Sequence, residues 1–280
     1  MIGLCTDSNS QLPRELAERY AVEVVPLTVS IDGQDFLEGV DLDADAFYAR
    51  FEAGPPPVVA TAAPAPGRFV AAYERLARAG ATEILSVHIG AEISGTLNSA
   101  RIGAQSSPVP VRLVDTKTAS FAIACCVWEA AEAIAGGATI EDAGAVAEAV
   151  GAQCGNVFIV GALDLARAGG RLDLAAAGPE GKGIPVLSLV GAAMTPIAYA
   201  RTTDEAARAM VAQICASGDG LRVGISIADA AAAPMWQALE EVLSNAPEVV
   251  DVVRYRIGPS VGAHTGPGAA GAVWYPTSLT

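Results

Sequence analysis

Basic residues are scarce in this chain, and their scarcity excludes two classes of partner. The 280 residues include 17 Lys and Arg against 31 Asp and Glu, which gives a formal net charge of -14. Nucleic acids and anionic membrane surfaces are both bound through clustered Lys and Arg. We therefore expect no nucleic-acid partner and no binding to an anionic membrane surface.

Cysteine occurs in a number and spacing that fit neither a disulfide framework nor a zinc site. The chain contains no C-x-x-C pair, the count is odd, and two of the residues are adjacent. The five cysteines are Cys5, Cys125, Cys126, Cys154 and Cys215. Their apolar neighbours indicate buried thiols in a reducing compartment.

Long hydrophobic runs are also missing. The first residues, MIGLCTDSNS, have no basic start and reach Asp7 before an apolar core can form, so no secretory signal is predicted. The longest apolar region, residues 122–138, contains Glu129 and Glu132 and makes a poor membrane span. We expect a cytoplasmic protein with no integral membrane span.

Motifs for nucleotides, calcium and hydrolysis fail at specific positions. GPEGKG at 178–183 is not followed by Ser or Thr, as a phosphate-binding loop requires. DLDAD at 41–45 has Ala46 where a calcium loop needs glycine, so we interpret its acids as a helix start. The residues around Ser94 do not form G-x-S-x-G. We expect no cofactor and no metal.

What is present is an alternation of short β-branched runs and alanine-rich amphipathic segments in the first half. This alternation predicts a doubly wound, mostly parallel α/β sheet with helices on both faces. The predicted strands are Ile2 to Cys5, Val22 to Ile31, Glu83 to Ile89 and Val111 to Val114. The predicted helices are Pro13 to Tyr20, Asp43 to Phe51, Gly67 to Ala79, one that begins at Ser94, 117–135 and 140–152.

The pattern changes from Asn156 onward, where turns separate strands as often as helices do. The predicted strands are NVFIVGAL, VLSLVGA, LRVGISIA and VVDVVRYRI, and the predicted helices are 203–216 and 232–244. We therefore expect a second α/β domain with a mixed sheet. The predicted domains are residues 1–155 and 156–280.

Three hydroxyl-bearing segments follow predicted strands, at the edge of an α/β sheet where ligands usually bind. They are residues 6–10, a loop at Thr61 that follows the strand-like PVVA at 57–60, and residues 93–96. Ser94 begins a predicted helix, whose free N–H groups suit a carboxylate or phosphate. Two structural alternatives stay open: Ser94 caps its own helix, and Thr61 bonds its own backbone.

His264 is one of two histidines and lies in GPSVGAHTGPGAAG at 258–271. The segment is too irregular for a helix or strand interior, and its small residues would let backbone come close to a ligand. Either a structural histidine or a functional one fits this position. The other histidine, His88, lies within a predicted strand and is interpreted as structural.

Six segments in this order resemble the DegV family over essentially the whole length. They are TDSNSQLP at 6–13, the Thr61 loop with its prolines, ISGTLNSAR at 93–101, VDTKTAS at 114–120, ARAGGRL at 166–172 and GAHTGPGAAG at 262–271. The resemblance implies a two-domain protein that buries one long-chain fatty acid, of C16–C18 length, between its domains. It also implies a separate ATP-binding fatty acid kinase subunit that phosphorylates the acid.

The resemblance further assigns roles to individual residues. The carboxylate-binding residues would be Thr61, Ser94 and Gly95, and the phosphate-receiving mouth would contain His264, Thr265 and Arg201. The chain departs from the family pattern where polar residues or glycines are usual, at Ala62, Ala65, Ala122 and Ala124. Two alternatives from the residues themselves are a stand-alone acyl or phosphoryl transferase that uses Ser94 or His264, and a carrier of another amphipathic small molecule.

Overall fold

The computed structural model describes residues 1–52, 54–168 and 183–279, in which strands and helices alternate. The strands are β1 (Ile2–Asp7), β2 (Val22–Val25), β3 (Thr28–Ile31), β4 (Gln34–Leu37), β5 (Val59–Ala62), β6 (Glu83–His88), β7 (Val111–Asp115), β8 (Gly155–Ile159), β9 (Ile184–Val190), β10 (Ala193–Ala200), β11 (Leu221–Ile227), β12 (Val249–Arg256) and β13 (Ala270–Pro276). The helices are α1 (Arg14–Arg19), α2 (Ala44–Tyr48), α3 (Pro66–Arg78), α4 (Thr96–Ala104), α5 (Phe121–Ala135), α6 (Ile140–Gln153), α7 (Leu163–Ala168), α8 (Thr203–Cys215), α9 (Ala233–Leu243) and α10 (Pro259–Thr265).

A four-stranded parallel sheet forms the first layer, in the order β2-β1-β6-β7. Successive residues of β1 point to opposite faces, as a strand requires. Cys5 packs with Phe69 and Tyr73 of α3, whereas Leu4 packs with the residues of α5 and α6. The predicted doubly wound fold with helices on both faces is therefore confirmed.

A second, three-stranded antiparallel sheet has the order β4-β3-β5. The prediction of one strand from Val22 to Ile31 is wrong, because this segment contains both β2 and β3. Pro26 lies between them and has no N–H group to continue the hydrogen-bond ladder. The chain thereby leaves the parallel sheet and enters the smaller sheet, where Asp32 and Gly33 form the predicted turn into β4.

The later strands form a six-stranded mixed sheet in the order β10-β9-β8-β13-β11-β12. Its pairs are antiparallel apart from the parallel pair of β11 with β12, so the predicted mixed sheet is confirmed. The prediction missed β10 and β13, as well as α7. The segment ARAGGRL at 166–172 and the GPEGKG segment at 178–183 lie mostly outside the described residues.

One hydrophobic core joins the residues before 155 to those after it. Phe121 at the start of α5 stacks on Tyr255 of β12, with ring centroids 4.3 Å apart and planes 8° from parallel. Gly224 of β11 makes room for this ring, because a Cβ there would lie 2.4 Å from Phe121. We propose that residues 1–155 and 156–280 form the two domains, and both contribute side chains to this one core.

The acidic DLDAD segment begins α2. Asp43 is the N-cap residue, and its side chain accepts a hydrogen bond of 2.7 Å from the Ala46 amide. Asp41 accepts from the Leu37 amide in the preceding turn. No group of residues in the described ranges has the arrangement of a metal site. Within those same ranges, no helix has the length and apolar character needed to cross a bilayer.

Candidate functional site

A cavity lies between the two halves of the molecule, and residues from both halves line it. It encloses about 980 Å³, including the solvent space at its mouth. The wall is mainly apolar, with Ile89, Phe158 and Met194 among its residues. Of the described residues that line it, none is Asp, Glu, Lys or Arg. Such a space suits a hydrophobic ligand whose polar group is bound by neutral side chains.

The polar group at one part of this wall is formed by Thr61 and His264. The Thr61 Oγ1 and the His264 Nε2 are 3.1 Å apart, within hydrogen-bond distance. Thr61 was expected in a loop, and this expectation is wrong, because it lies in β5 opposite Val29 of β3. The sheet therefore fixes the position of the hydroxyl toward the cavity.

His264 lies in the last turn of α10, which corrects the prediction of an irregular segment. Pro259 occupies the first turn, where its missing N–H does not weaken a helix. The glycines allow close packing of protein on protein: a Cβ on Gly262 would lie 2.6 Å from the Tyr48 hydroxyl. Gly266, with a φ of 74°, ends the helix in a conformation that other residues rarely adopt.

Ser94 lines the cavity as well, but it does not begin a helix as predicted. The N-cap residue of α4 is Gly95, one position later. The Ser94 hydroxyl is 2.9 Å from the Thr96 hydroxyl and accepts a hydrogen bond of 3.3 Å from the Thr96 amide. Ser94 thus bonds to the start of α4 and also faces the cavity. Gly95 is not part of the wall and approaches Ala63, just beyond β5.

The structure separates the two remaining residues of the predicted mouth. Thr265 is buried, lines the cavity and donates its hydroxyl to the Val261 carbonyl at 3.2 Å. Arg201 is not part of the wall. Its side chain is 86% exposed and pairs with Glu205 at 2.8 Å. The structure therefore does not place the Arg201 guanidinium at the cavity.

Besides Thr61 and His264, a second polar contact joins the two halves along the cavity wall, and sequence reasoning did not single out its residues. Asn9 is buried, donates to the Ser260 hydroxyl at 3.2 Å and accepts from the Ser120 amide at 3.0 Å. Ser120 has a φ of 60°, a conformation that non-glycine residues seldom adopt. The nearby Tyr255 is buried, which raises the pKa of its hydroxyl to about 12. The hydroxyl-rich TDSNS segment after β1 was the signal that could have identified Asn9.

His88 belongs to a separate polar chain behind the cavity wall. Its Nδ1 is 2.9 Å from the Asp7 carboxylate and its Nε2 is 2.7 Å from the Ser86 hydroxyl, which also contacts Tyr73. Asp7, Ser86 and His88 are completely buried. No substrate can reach Ser86, so this arrangement is structural despite its likeness to a hydrolase triad.

The four alanines that depart from the family pattern lie outside the cavity wall. Ala62 and Ala65 are exposed, at the end of β5 and before α3. Ala122 and Ala124 are buried within α5 and contribute to the shared core. Three of the five cysteines, Cys5, Cys125 and Cys126, are buried as predicted, and burial raises the pKa of the Cys5 thiol to about 12. The prediction is wrong for Cys154 and Cys215, which are only partly buried.

Comparison with known proteins relates the whole chain to one family. A family model described as uncharacterised protein of the DegV family matches residues 1–277. The chain belongs to the DegV family. A DegV domain-containing protein of Streptomyces coelicolor is 34% identical over 275 residues, which cover 97% of each chain.

Solved structures of other DegV proteins superpose over nearly the whole chain. A DegV protein from Thermus thermophilus, described by its fatty acid binding, is 30% identical, has a TM-score of 0.86, and is matched over 98% of this chain and 99% of its own. DegV from Bacillus subtilis, described as a fatty acid binding protein, is 26% identical with a TM-score of 0.85 and 99% coverage of both chains. These likenesses confirm the fold, and they relate this DegV chain to proteins that bind fatty acids.

Proposed function

We propose that this DegV protein binds one long-chain fatty acid, of C16–C18 length, in the cavity between its two halves. The observation that carries the proposal is the cavity itself: an apolar space, without charged side chains in its described wall, in which Thr61 and His264 lie 3.1 Å apart. The fatty-acid-binding relatives of the same fold support it.

The acyl chain needs an apolar surface and the carboxylate needs hydrogen-bond donors. In this proposal, the apolar part of the wall binds the chain and the polar part binds the carboxylate. Each buried methylene contributes on the order of 0.8 kcal/mol, so about sixteen carbons contribute roughly 12 kcal/mol before the costs of ordering the chain. A carboxylate that leaves water needs hydrogen-bond donors. The Thr61 and Ser94 hydroxyls and the His264 imidazole are the donors that the proposal assigns to it.

The binding proposal is tested by the contents of the purified protein. Protein expressed in a bacterial host should be denatured, extracted with organic solvent and analysed by mass spectrometry. We expect close to one fatty acid per chain. Protein that is folded yet releases no lipid, and that takes up none from added palmitate or oleate, would contradict the proposal. Release of a different amphipathic molecule would replace the fatty acid with that molecule.

We further propose that the carboxylate is presented to a separate ATP-dependent kinase subunit, which forms the acyl phosphate. The absence of a nucleotide-binding motif in this sequence supports a division of labour between two proteins. In this proposal, His264 lies where the phosphoryl group is received. Arg201 is left out of this proposal, because its exposed side chain pairs with Glu205 outside the cavity wall.

The kinase proposal is tested with palmitate-loaded protein, ATP, magnesium and an ATP-binding fatty acid kinase subunit from the same genome. Hydroxylamine traps acyl phosphate as a hydroxamate that can be measured. We expect His264→Ala still to load with palmitate, which leaves faster than from the wild type, while hydroxamate formation per bound palmitate falls. Loss of palmitate with an unchanged transfer rate per bound ligand would contradict the role of His264. Labelling of Ser94 by an acyl-phosphonate probe would instead favour a stand-alone transferase.

A further inference from the structure

The helix that carries His264 is held at its first turn by side chains from the other half of the molecule. The Gly258 amide donates to the Gln11 side-chain oxygen, and the Ser260 amide donates to the Glu38 carboxylate at 2.8 Å. Asn9 donates to the Ser260 hydroxyl at 3.2 Å. Three side chains thus bind the start of α10, although about 220 to 250 residues separate them from it in the chain.

These contacts supply what α10 lacks in its own sequence. The first N–H groups of a helix need hydrogen-bond acceptors from outside the helix. The N-cap residue of α10 is Gly258, which has no side chain to accept from them. The Glu38 and Gln11 side chains take this role from a distant part of the chain.

Glu38 is the most strongly fixed of these side chains. It is 5% exposed and lies directly after β4. One carboxylate oxygen accepts from Ser260, and the other accepts from the Ser8 hydroxyl, which itself accepts from the Leu27 amide at 2.9 Å. Burial raises the pKa of Glu38, and the hydrogen bonds from Ser8 and Ser260 partly oppose this rise. Both oxygens of this buried carboxylate therefore accept hydrogen bonds, which offset part of the free-energy cost of removing it from water.

We propose that Glu38 is a positioning residue for His264. It sets the location of α10 through the Ser260 amide and acts on the head-group site without touching the ligand. The proposal rests on the proposed function insofar as His264 is taken to face a fatty acid carboxylate. Because α10 is a short helix packed closely on Tyr48 at Gly262, a shift of its first turn is passed to its last turn. A shift of about 1 Å is enough to break the bond between His264 and Thr61.

The two histidines of the chain make this inference testable by NMR of the imidazole groups. His88 is buried behind the cavity wall and serves as an internal reference for His264. The variants are Glu38→Ala, which removes the acceptor, Glu38→Gln, which keeps an acceptor oxygen, and Asp35→Ala as a control from exposed β4. Gln11→Ala is a second way to release the first turn if Glu38→Ala fails to fold.

In Glu38→Ala or Gln11→Ala, we expect the His264 signals to shift or broaden while the His88 signals keep their positions. Bound palmitate should leave about tenfold faster, because the displaced His264 no longer bonds to the charged carboxylate of the ligand. Glu38→Gln should restore most of both properties, and Asp35→Ala should match the wild type. Unchanged His264 signals in the folded variants would overturn the inference, as would a Glu38→Gln protein that behaves like Glu38→Ala.

The same measurements separate this inference from the proposed function. A protein that takes up no fatty acid, but whose His264 signals respond to Glu38→Ala, would refute the proposed function and support the positioning role. A protein that binds palmitate, but whose His264 signals and palmitate release ignore both Glu38→Ala and Gln11→Ala, would refute the positioning role alone.

Discussion

Thr61 and His264 are 203 positions apart in the chain, yet the fold places their side chains within hydrogen-bond distance at the cavity. Each side chain is held by a regular element, Thr61 by β5 and His264 by α10. Side chains on strands and helices are held more accurately than side chains on free loops. The candidate site therefore resembles a preformed receptor for a polar head group.

The role of the Thr61 hydroxyl in binding can be tested with a substitution that keeps the shape of the side chain. Thr61→Val replaces the hydroxyl by a methyl group, and we expect binding of a fluorescent fatty acid to weaken by about tenfold or more. Thr28→Val is the matched control, because Thr28 lies on the adjacent strand β3 and outside the cavity wall. Equal affinities for the two variants would show that the hydroxyl makes no bond to the ligand.

Glu38 should also leave a trace in the pH dependence of stability. Burial raises the pKa of Glu38 above the ordinary 4.5. At pH values between the unfolded pKa and the raised folded pKa, the folded protein therefore binds more protons than the unfolded chain. The Glu38 contribution to the free energy of unfolding therefore falls as pH rises through this window. It is fully present below the unfolded pKa and is lost above the folded one.

The measurement compares the wild type with Glu38→Gln by urea unfolding from about pH 4 to about pH 8. We expect the wild-type free energy of unfolding to decline relative to the variant as pH rises, and the difference then to level off. A difference that grows in favour of the wild type would mean that hydrogen bonding from Ser8 and Ser260 outweighs burial.

At the scale of elements, the sequence predicts the parallel sheet and its helices well and α10 and β13 poorly. The strands of the parallel sheet carry continuous β-branched runs, which are informative locally. The α10 segment is rich in glycine, and the acceptors for its first turn are Gln11 and Glu38, which lie far along the chain. Likewise, β13 begins with small residues and gains its partners from β8 and β11. Contacts of this range leave no local pattern to detect.

The candidate site shows the same limit. Family resemblance locates Thr61, Ser94 and His264, because each lies in a recognisable motif. No local signal marks Ser260 or predicts that Asn9 would bind it, since their bond spans 251 positions. The resemblance also placed Arg201 at the mouth, but its exposed side chain pairs with Glu205 outside the cavity wall.

Strands β8 and β9 are joined by a side chain as well as by backbone. The Asn156 amide accepts from the Leu189 N–H at 2.6 Å and donates to the Leu189 carbonyl at 3.1 Å, in place of a rung of the ladder. Both residues line the cavity. This side chain therefore holds the two strands together beside the cavity.

Asn156→Ala should leave both backbone groups of Leu189 without this partner and lower the free energy of unfolding by about 2 kcal/mol. Hydrogen exchange at the Leu189 amide should become faster, which NMR or mass spectrometry can measure. Asn245→Ala is the control, because the exposed Asn245 bonds only near the end of its own helix. A Leu189 amide that stays equally protected would mean that backbone pairing alone joins the strands.

At the scale of the whole molecule, a charged cluster fastens the two halves together. Arg222 of β11 bonds to Glu129 of α5 at 2.5 Å and to the Tyr275 hydroxyl at 2.9 Å, and its guanidinium lies 4.3 Å from the centre of the Trp128 ring. Glu129 is 5% exposed. Because of this cluster and the shared core, the two halves that line the cavity are packed together as one unit.

Arg222→Met would leave the buried Glu129 without its cation, and we expect a loss of about 3 kcal/mol in the free energy of unfolding. The matched control is Arg254→Met. Arg254 also pairs with a glutamate and stacks on a tryptophan, but its side chain is 63% exposed, so its loss should cost less than about 1 kcal/mol. Similar losses in urea unfolding would contradict a special role for the buried pair.

The shared core also limits the routes by which a lipid would enter and leave the cavity. We expect the proposed fatty acid to enter and leave by sliding along the cavity, because opening of the two halves would have to separate Phe121, Tyr255 and their neighbours in the shared core. Each further carbon then has to be pulled into water before release. Residence times across a homologous series of acids should lengthen by a nearly constant factor, about fourfold per methylene at roughly 0.8 kcal/mol each.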